Sequence, residues 1–251
     1  VNAIFENNAE GFVGESLALY NGEALQTLRG MEGSLVDAVV TDPPYSSGGV
    51  HASARQRPPQ EKYQNSNAKR HYPELLGDNR DQRSFAFWAS MWLSECHRVA
   101  KPGASLLVFT DWRQLPVMTD AVQAGGWMWR GLVVWDKPSA RPMLGEFRRQ
   151  CEFLVFAVKS PFKAAHRNCL PGVFRHSVNG AAKRHLTEKP LGLMEDLLHV
   201  VPDGGLVLDP FMGSGSTGEA CLRSGRRFMG VELSPEYYDV AKNRLKGVVD
   251  A

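Results

Sequence analysis

The sequence predicts an α/β fold: a mostly parallel sheet with helices on both faces. Three observations carry this. Short apolar runs recur along the chain, each bounded by turn residues. Segments with helical spacing lie between them, the pattern of parallel strands joined by crossover helices. A glycine-rich turn, Asp209 to Gly218, stands between a strand and a helix. No second segment has a core of its own, so the 251 residues read as one domain.

Taken in order, Leu17–Asn21 is a short strand and Glu23–Arg29 a helix. Val36–Thr41 is a buried strand that ends in Asp42 and two prolines. Residues 46–80 are polar and aperiodic, long for a structureless loop, and read as either functional or mobile. Phe85, Trp88, Trp92, Cys96 and Val99 mark one face of a helix, which Lys101-Pro102-Gly103 ends. Ser105–Thr110 is a strand and Trp112–Ala124 a helix closed by Gly125-Gly126. Leu132–Trp135 and Phe153–Val158 are strands with a basic loop between them. Residues 159–185 are polar and basic again, with scattered Gly and Pro. Pro190–Val201 is a helix, Leu206–Leu208 a strand, Thr217–Ser224 a helix and Arg227–Val231 a strand. Ser234 caps a last helix with Pro235 at its first position.

Composition narrows the class. Hydrophobic residues are 43% and charged residues 22%, ordinary for a globular protein. No uncharged apolar run reaches the ~18 residues that cross a bilayer, and the N-terminus lacks a signal-peptide pattern. A soluble, cytoplasmic protein with no membrane partner is expected. Cys96, Cys151, Cys169 and Cys221 stand singly. Cys151, His166, Cys169 and His176 match no familiar zinc spacing, so no metal is expected. The net charge of +2 is unevenly divided. Lys137 to Lys189 holds eleven basic and three acidic residues, +8, which leaves −6 for the remainder. Such asymmetry suits a polyanion on one segment, although a solvated basic face has the same composition.

The turn Asp209-Pro210-Phe211-Met212-Gly213-Ser214-Gly215-Ser216-Thr217-Gly218 contains G-x-G-x-x-G, and Glu232 ends the next strand. That layout admits a nucleotide, with a carboxylate for ribose hydroxyls. By itself it fits a dinucleotide, S-adenosylmethionine or a plain tight turn. Asp209 before the glycines would repel a pyrophosphate but attract an ammonium or sulfonium, which favours S-adenosylmethionine over NAD. No G-K-[ST] follows, so a Walker phosphate loop is excluded.

Asp42-Pro43-Pro44-Tyr45 follows a strand. Two prolines there could simply stop the sheet. They also suit chemistry. An exocyclic amine on a base is a poor nucleophile because the ring delocalises its lone pair. A carboxylate (Asp42) and a carbonyl (Pro43), each accepting one N–H, would favour a pyramidal nitrogen. Pro44 helps to fix the backbone, and Tyr45 can stack on an extruded base.

With these motifs together the chain resembles the β-class (permuted) DNA adenine-N6 amino-methyltransferases of the Asp-Pro-Pro-Tyr type. The catalytic tetrapeptide precedes the cofactor turn, as in that class. Further matches are Gly230-Val231-Glu232-Leu233, Trp135-Asp136-Lys137-Pro138, Cys151 to Phe156 and His185 to Pro190, and the likeness spans Leu17 to Leu245. It implies a Rossmann-like sheet with an antiparallel hairpin end and permuted motif order. It implies transfer of a methyl group from S-adenosyl-L-methionine to N6 of a flipped adenine, at a short specific sequence in double-stranded DNA. Cofactor contacts would come from Glu23, Thr187, Lys189, Asp209, Phe211, Gly213, Ser214, Gly215, Thr217 and Glu232. Glu23 stands where such enzymes commonly carry Asp. Relatives acting on cytosine N4 more often have Ser at Asp42, so Asp42 favours adenine. Cytosine-N4 or RNA-adenine methylation is the nearest alternative, and a catalytically silent DNA-binding module a more distant one. The resemblance makes 46–80 a mobile or DNA-contacting loop and 159–185 a short target-recognition insertion, and DNA contacts are expected from Arg55, Arg57, Lys69, Arg70, Arg141, Arg148, Arg149, Arg167 and Arg175. Small members of the class often form homodimers.

Overall fold

In the computed structural model, residues 11–45, 80–140, 142–162, 164, 169–178 and 188–250 are described. The strands are β1 (Gly11–Val13), β2 (Leu17–Asn21), β3 (Val36–Thr41), β4 (Ala100–Thr110), β5 (Met128–Asp136), β6 (Cys151–Val158), β7 (Val173–Arg175), β8 (Leu206–Asp209) and β9 (Arg227–Glu232). They form one sheet in the order β1-β2-β9-β8-β3-β4-β6-β5-β7. The run from β2 to β4 is parallel throughout. Strand β6 is antiparallel to both β4 and β5, which gives the expected hairpin end.

The helices are α1 (Ala24–Arg29), α2 (Gln82–Val99), α3 (Leu115–Ala124), α4 (Leu191–Leu197), α5 (Ser216–Arg223) and α6 (Pro235–Val249). Alternation along each strand sends side chains to two cores. Val39, Leu106, Val108, Leu208, Met229 and Val231 face the layer of α1, α2 and α3. Ala38, Val40, Leu107, Phe109, Val207 and Phe228 face the layer of α4, α5 and α6. Both faces are therefore covered, which is why these strands are nearly continuous apolar runs.

Several boundaries differ from the sequence reading. Strand β4 begins at Ala100, directly after α2, because Ala100 pairs with Val36 across a register shift. Lys101-Pro102-Gly103 lies inside that strand. Helix α3 starts at Leu115 because Asp111 Oδ1 accepts from the amides of Arg113 and Gln114 at 3.1 and 2.9 Å, a turn preceding the helix. Strands β1 and β7 had no clear periodic signal. Each has three residues and borrows its order from the neighbour it pairs with, β2 and β5 respectively. The 159–185 segment thus contributes a strand, and the rest of the 46–80 loop up to residue 79 lies outside the described residues.

Candidate active site

Strand β8 leads through α5 to β9 on one side, and β3 leads through α2 to β4 on the other. The chain therefore diverges between β8 and β3, and ligands of open α/β sheets bind outside the carboxyl ends at such a point. Asp209 ends β8, Glu232 ends β9 and Asp42 follows β3, so three carboxylates converge on that edge.

The glycine turn is held by its own amides. Met212 N donates to Val231 O at 3.0 Å, and Gly215 N to Met212 O at 2.8 Å. Gly213 N donates to Glu232 Oε2, and Ser234 N to Glu232 Oε1, both at 2.9 Å. Glu232 is thus fixed by two amides, and each oxygen keeps a lone pair for another donor. Burial lifts its carboxyl to about 6, opposed by those amide bonds. Gly215 has φ 82° at the start of α5, and a Cβ on Gly218 would meet Phe228 Cδ1 at 2.7 Å. The last glycine therefore serves the packing of helix on strand.

Other residues of the turn face inward. Asp209 is 2% exposed and accepts from Thr41 Oγ1 and Thr217 Oγ1 at 2.7 Å and from Phe211 N at 3.1 Å. Burial raises its carboxyl to about 6. It is a strut tying β3 to the turn, not the open anion that its sequence position suggests. Thr217 is spent on that strut. Ser214 is buried, and its carbonyl accepts from Arg244 at 3.2 Å. Phe211 packs on Trp88 and Trp92 with centroids 5.5 and 5.1 Å apart, and the Arg80 guanidinium lies 4.3 Å from the Trp88 centroid. Glu23 caps α1, its Oε2 accepting from Gln26 N at 2.7 Å. The neighbouring Gly22 N donates to Glu232 O at 3.0 Å, which brings Glu23 to the same edge.

The second half of the site is assembled from distant segments. Lys189 Nζ binds Asp42 Oδ2 and lies 3.1 Å from Glu152 Oε1. Tyr45 Oη is hydrogen-bonded to Asp42 Oδ1 and lies 2.8 Å from Glu152 Oε1. Lys137 Nζ donates to Glu152 Oε2 at 3.1 Å. Burial pushes Asp42 up, against the pull of Lys189 and with added repulsion from Glu152. Burial also disfavours ionised Glu152, but Lys189 and Lys137 overcome it and hold Glu152 down at about 2. Lys189 is raised despite its burial, because Asp42 and Glu152 flank it. Tyr45 is pushed well above the usual phenol range by burial and by both carboxylates.

Asp42 keeps 23% of its side-chain surface, so its carboxylate is reachable from solvent. Its two bonds leave lone pairs on both oxygens. Lys189 has three ammonium hydrogens, and two carboxylates engage it. Tyr45 is anchored through its hydroxyl. The sequence places Glu152 and Lys137 within matched motifs but assigns neither a role in the site. An isolated Glu within the apolar run of β6 was the available signal, since an ionised side chain is rarely buried unpaired. Thr187, Arg55, Arg57, Lys69, Arg70, Arg141 and Arg167 lie outside the described residues. Arg148 and Arg149 lie on the β5–β6 turn, and Arg175 is on β7, 3.4 Å from Asp136. Among the described residues no cluster of His, Cys, Asp and Glu could hold a metal ion. None of the described helices is long and apolar enough to cross a membrane.

This fold and edge define a methyltransferase-type α/β protein. Residues 36–243 match the N6/N4 DNA methylase family, and the chain belongs to it. It is 28% identical over 229 residues to the protein YubD of Escherichia coli (strain K12), covering 90% of this chain and 89% of that one. The M1.HpyAVI–SAM complex superposes with a TM-score of 0.66 at 23% identity, covering 91% and 99% of the two chains. The PvuII DNA methyltransferase, which is cytosine-N4-specific, gives 0.72 at 16% identity, covering 97% and 94%.

Proposed function

We propose that this DNA methyltransferase moves the methyl group of S-adenosylmethionine to N6 of an adenine flipped out of duplex DNA, within a short specific sequence. The observation that carries the reading is that Asp42 and the Glu232–Gly213 turn stand on the same carboxyl edge of the sheet, at the ends of strands two apart. The pocket residues fit the cofactor. Glu232 is ionised at neutral pH and has acceptor capacity left for two ribose hydroxyls. Gly213, bonded to Glu232 through its amide, would let the cofactor approach the backbone, and Phe211 and Glu23 would complete the site. Lys189 retains a hydrogen for a carboxylate. One neighbour in fold, M1.HpyAVI, is described in complex with SAM. When bound, the cofactor supplies an electrophilic methyl carried on sulfonium.

Asp42 accepts one hydrogen of the exocyclic amine and the Pro43 carbonyl the other, which directs the nitrogen lone pair at the methyl carbon. Asp42 then holds the proton that the amine sheds. Glu152 and Lys189 are positioning residues: they fix Tyr45 and Asp42 through buried bonds. Arg148, Arg149 and Arg175 neutralise phosphates. Asp42 favours adenine, and cytosine N4 is the second reading because PvuII methyltransferase shares the fold. The test is to methylate DNA of mixed sequence with labelled cofactor, digest it, and identify the modified nucleoside. Label in N6-methyl-2'-deoxyadenosine is expected, and label only in N4-methyl-2'-deoxycytidine would replace the target.

A further inference from the structure

Among the described residues, the most exposed large apolar side chains are Leu144 at 103% and Phe147 at 97%. They flank the apex of the turn joining β5 to β6. Hydrogen bonds brace that turn. At its base Lys137 N donates to Gln150 O at 2.9 Å, and Gln150 Nε2 to Asp136 Oδ1 at 2.8 Å. Across it Arg148 Nη1 donates to Pro138 O at 3.2 Å. At the apex Gly145 has φ 71°, a left-handed conformation that glycine adopts without cost. A braced turn that presents a leucine and a phenylalanine to water needs an occupant to cover them.

The turn springs from the active-site edge. Lys137, at its start, binds Glu152, the second residue of β6, which in turn contacts Tyr45 and Lys189. Trp112, on the turn that follows β4, is 51% exposed. Guanidinium groups of Arg113 and Arg149 lie 5.0 and 5.9 Å from its ring centroid. Glu146, inside the tip, pairs with Arg149 at 2.8 Å, and the other charges flanking the apolar tip are the cations Arg148 and Arg113.

We infer that this tip is a wedge for duplex DNA: Phe147 and Leu144 enter the base stack where the target nucleotide leaves it. Arg148 and Arg149 lie along the flanking phosphates. An extruded base leaves a gap whose neighbours have lost their stacking, and apolar side chains restore that contact. The arginines select a polyanion as the occupant, because a second copy of the chain would have to meet them with acids. The inference rests on methyl transfer to an extruded base.

The test uses a short duplex carrying the sequence that the wild-type protein methylates. It is made fully paired, and again with an abasic nucleotide opposite the target. Leu144→Ser/Phe147→Ser is compared with wild type in single-turnover methylation. Removing the partner base lowers the cost of extrusion, so a wedge becomes dispensable there. We expect the variant to be at least ~10-fold slower on the paired duplex and within about 2-fold of wild type on the abasic one. Its thermal midpoint should not move, because both side chains are exposed. Equal losses on the two duplexes, or no loss on either, would overturn the wedge. So would a loss that tracks a dimer-to-monomer change in sedimentation, which would make the tip a protein interface. If the wild-type protein methylates no DNA of mixed sequence, the methyl-transfer reading itself fails and the wedge falls with it.

Discussion

The two halves of the proposed site, one for the cofactor and one for catalysis, are built differently. The cofactor half is local: the glycine turn and Glu232 lie within one strand–helix–strand unit, and amide hydrogen bonds inside that unit set the geometry. The catalytic half is remote. Asp42, Glu152 and Lys189 come from three separate segments and meet only because β3, β6 and the approach to α4 reach the same edge. A local site depends on turn geometry. A remote one depends on balanced buried charge.

The sharpest way to break this contrast is Asp42→Ala. Turnover should fall at least ~100-fold, comparable to losing a preorganised polar group. Cofactor affinity should change far less in calorimetry, because Asp42 reaches the proposed cofactor site only through Lys189. Equal losses in turnover and affinity would mean that the halves are not separable.

Lys189→Met should be the most damaging to the fold. It leaves two buried carboxylates without their shared cation, and breaking such an arrangement costs about 3–5 kcal/mol. A clear drop in the thermal midpoint at pH 7 is expected. Acidification should partly restore it, as Asp42 takes up a proton. A midpoint unchanged from wild type would refute the network.

Glu232→Ala and Gly213→Val should each weaken cofactor binding by ~10-fold or more, through a lost bidentate acceptor and a blocked backbone approach. Unchanged affinity in both would remove the pocket. Acidity sharpens the point. Glu232 lies near 6 in the folded protein against 4.5 for an ordinary glutamate, and Asp209 near 6 against 3.8. Raised carboxyls bind protons more readily in the folded state. Their contribution to stability is complete below the ordinary values and is lost as pH rises through about 6. Cofactor binding needs ionised Glu232, so affinity should instead fall as pH drops below about 6. Between pH 4.5 and 6 the two quantities should move in opposite directions. Glu152, held near 2, adds stability that disappears only in stronger acid. Parallel pH curves for binding and stability would contradict this assignment.

The smallest effect should come from the surface. Arg148→Glu/Arg149→Glu should weaken binding to all DNA sequences alike and flatten the dependence on salt. Titrations at several salt concentrations on cognate and scrambled duplexes measure this, and an unchanged slope would place the DNA elsewhere.

Much of this was legible in the sequence, for physical reasons. Continuous apolar runs such as Val36–Thr41 declare strands buried on both faces, and Ser234-Pro235 declares a helix start. Asp-Pro-Pro-Tyr and the glycine turn are contiguous, so their backbone constraints are visible in order. Strands β1 and β7 were not legible, because three residues have no period. Nor was the pairing of Glu152 with Lys137 and Lys189, since nothing along the chain says which carboxylates converge. Asp209 is the instructive case. Its place before the glycines suggests an open anion, yet Thr41, from a strand far away in sequence, helps to turn it inward. The sequence by itself determined the alternation of elements, the two-sided core and the short-range motifs, because these depend on neighbours along the chain. Only the tertiary structure decided which carboxylates keep acceptor capacity at the carboxyl edge, which brace the backbone, and where the positive charges fall, because each depends on partners that strand order alone brings together.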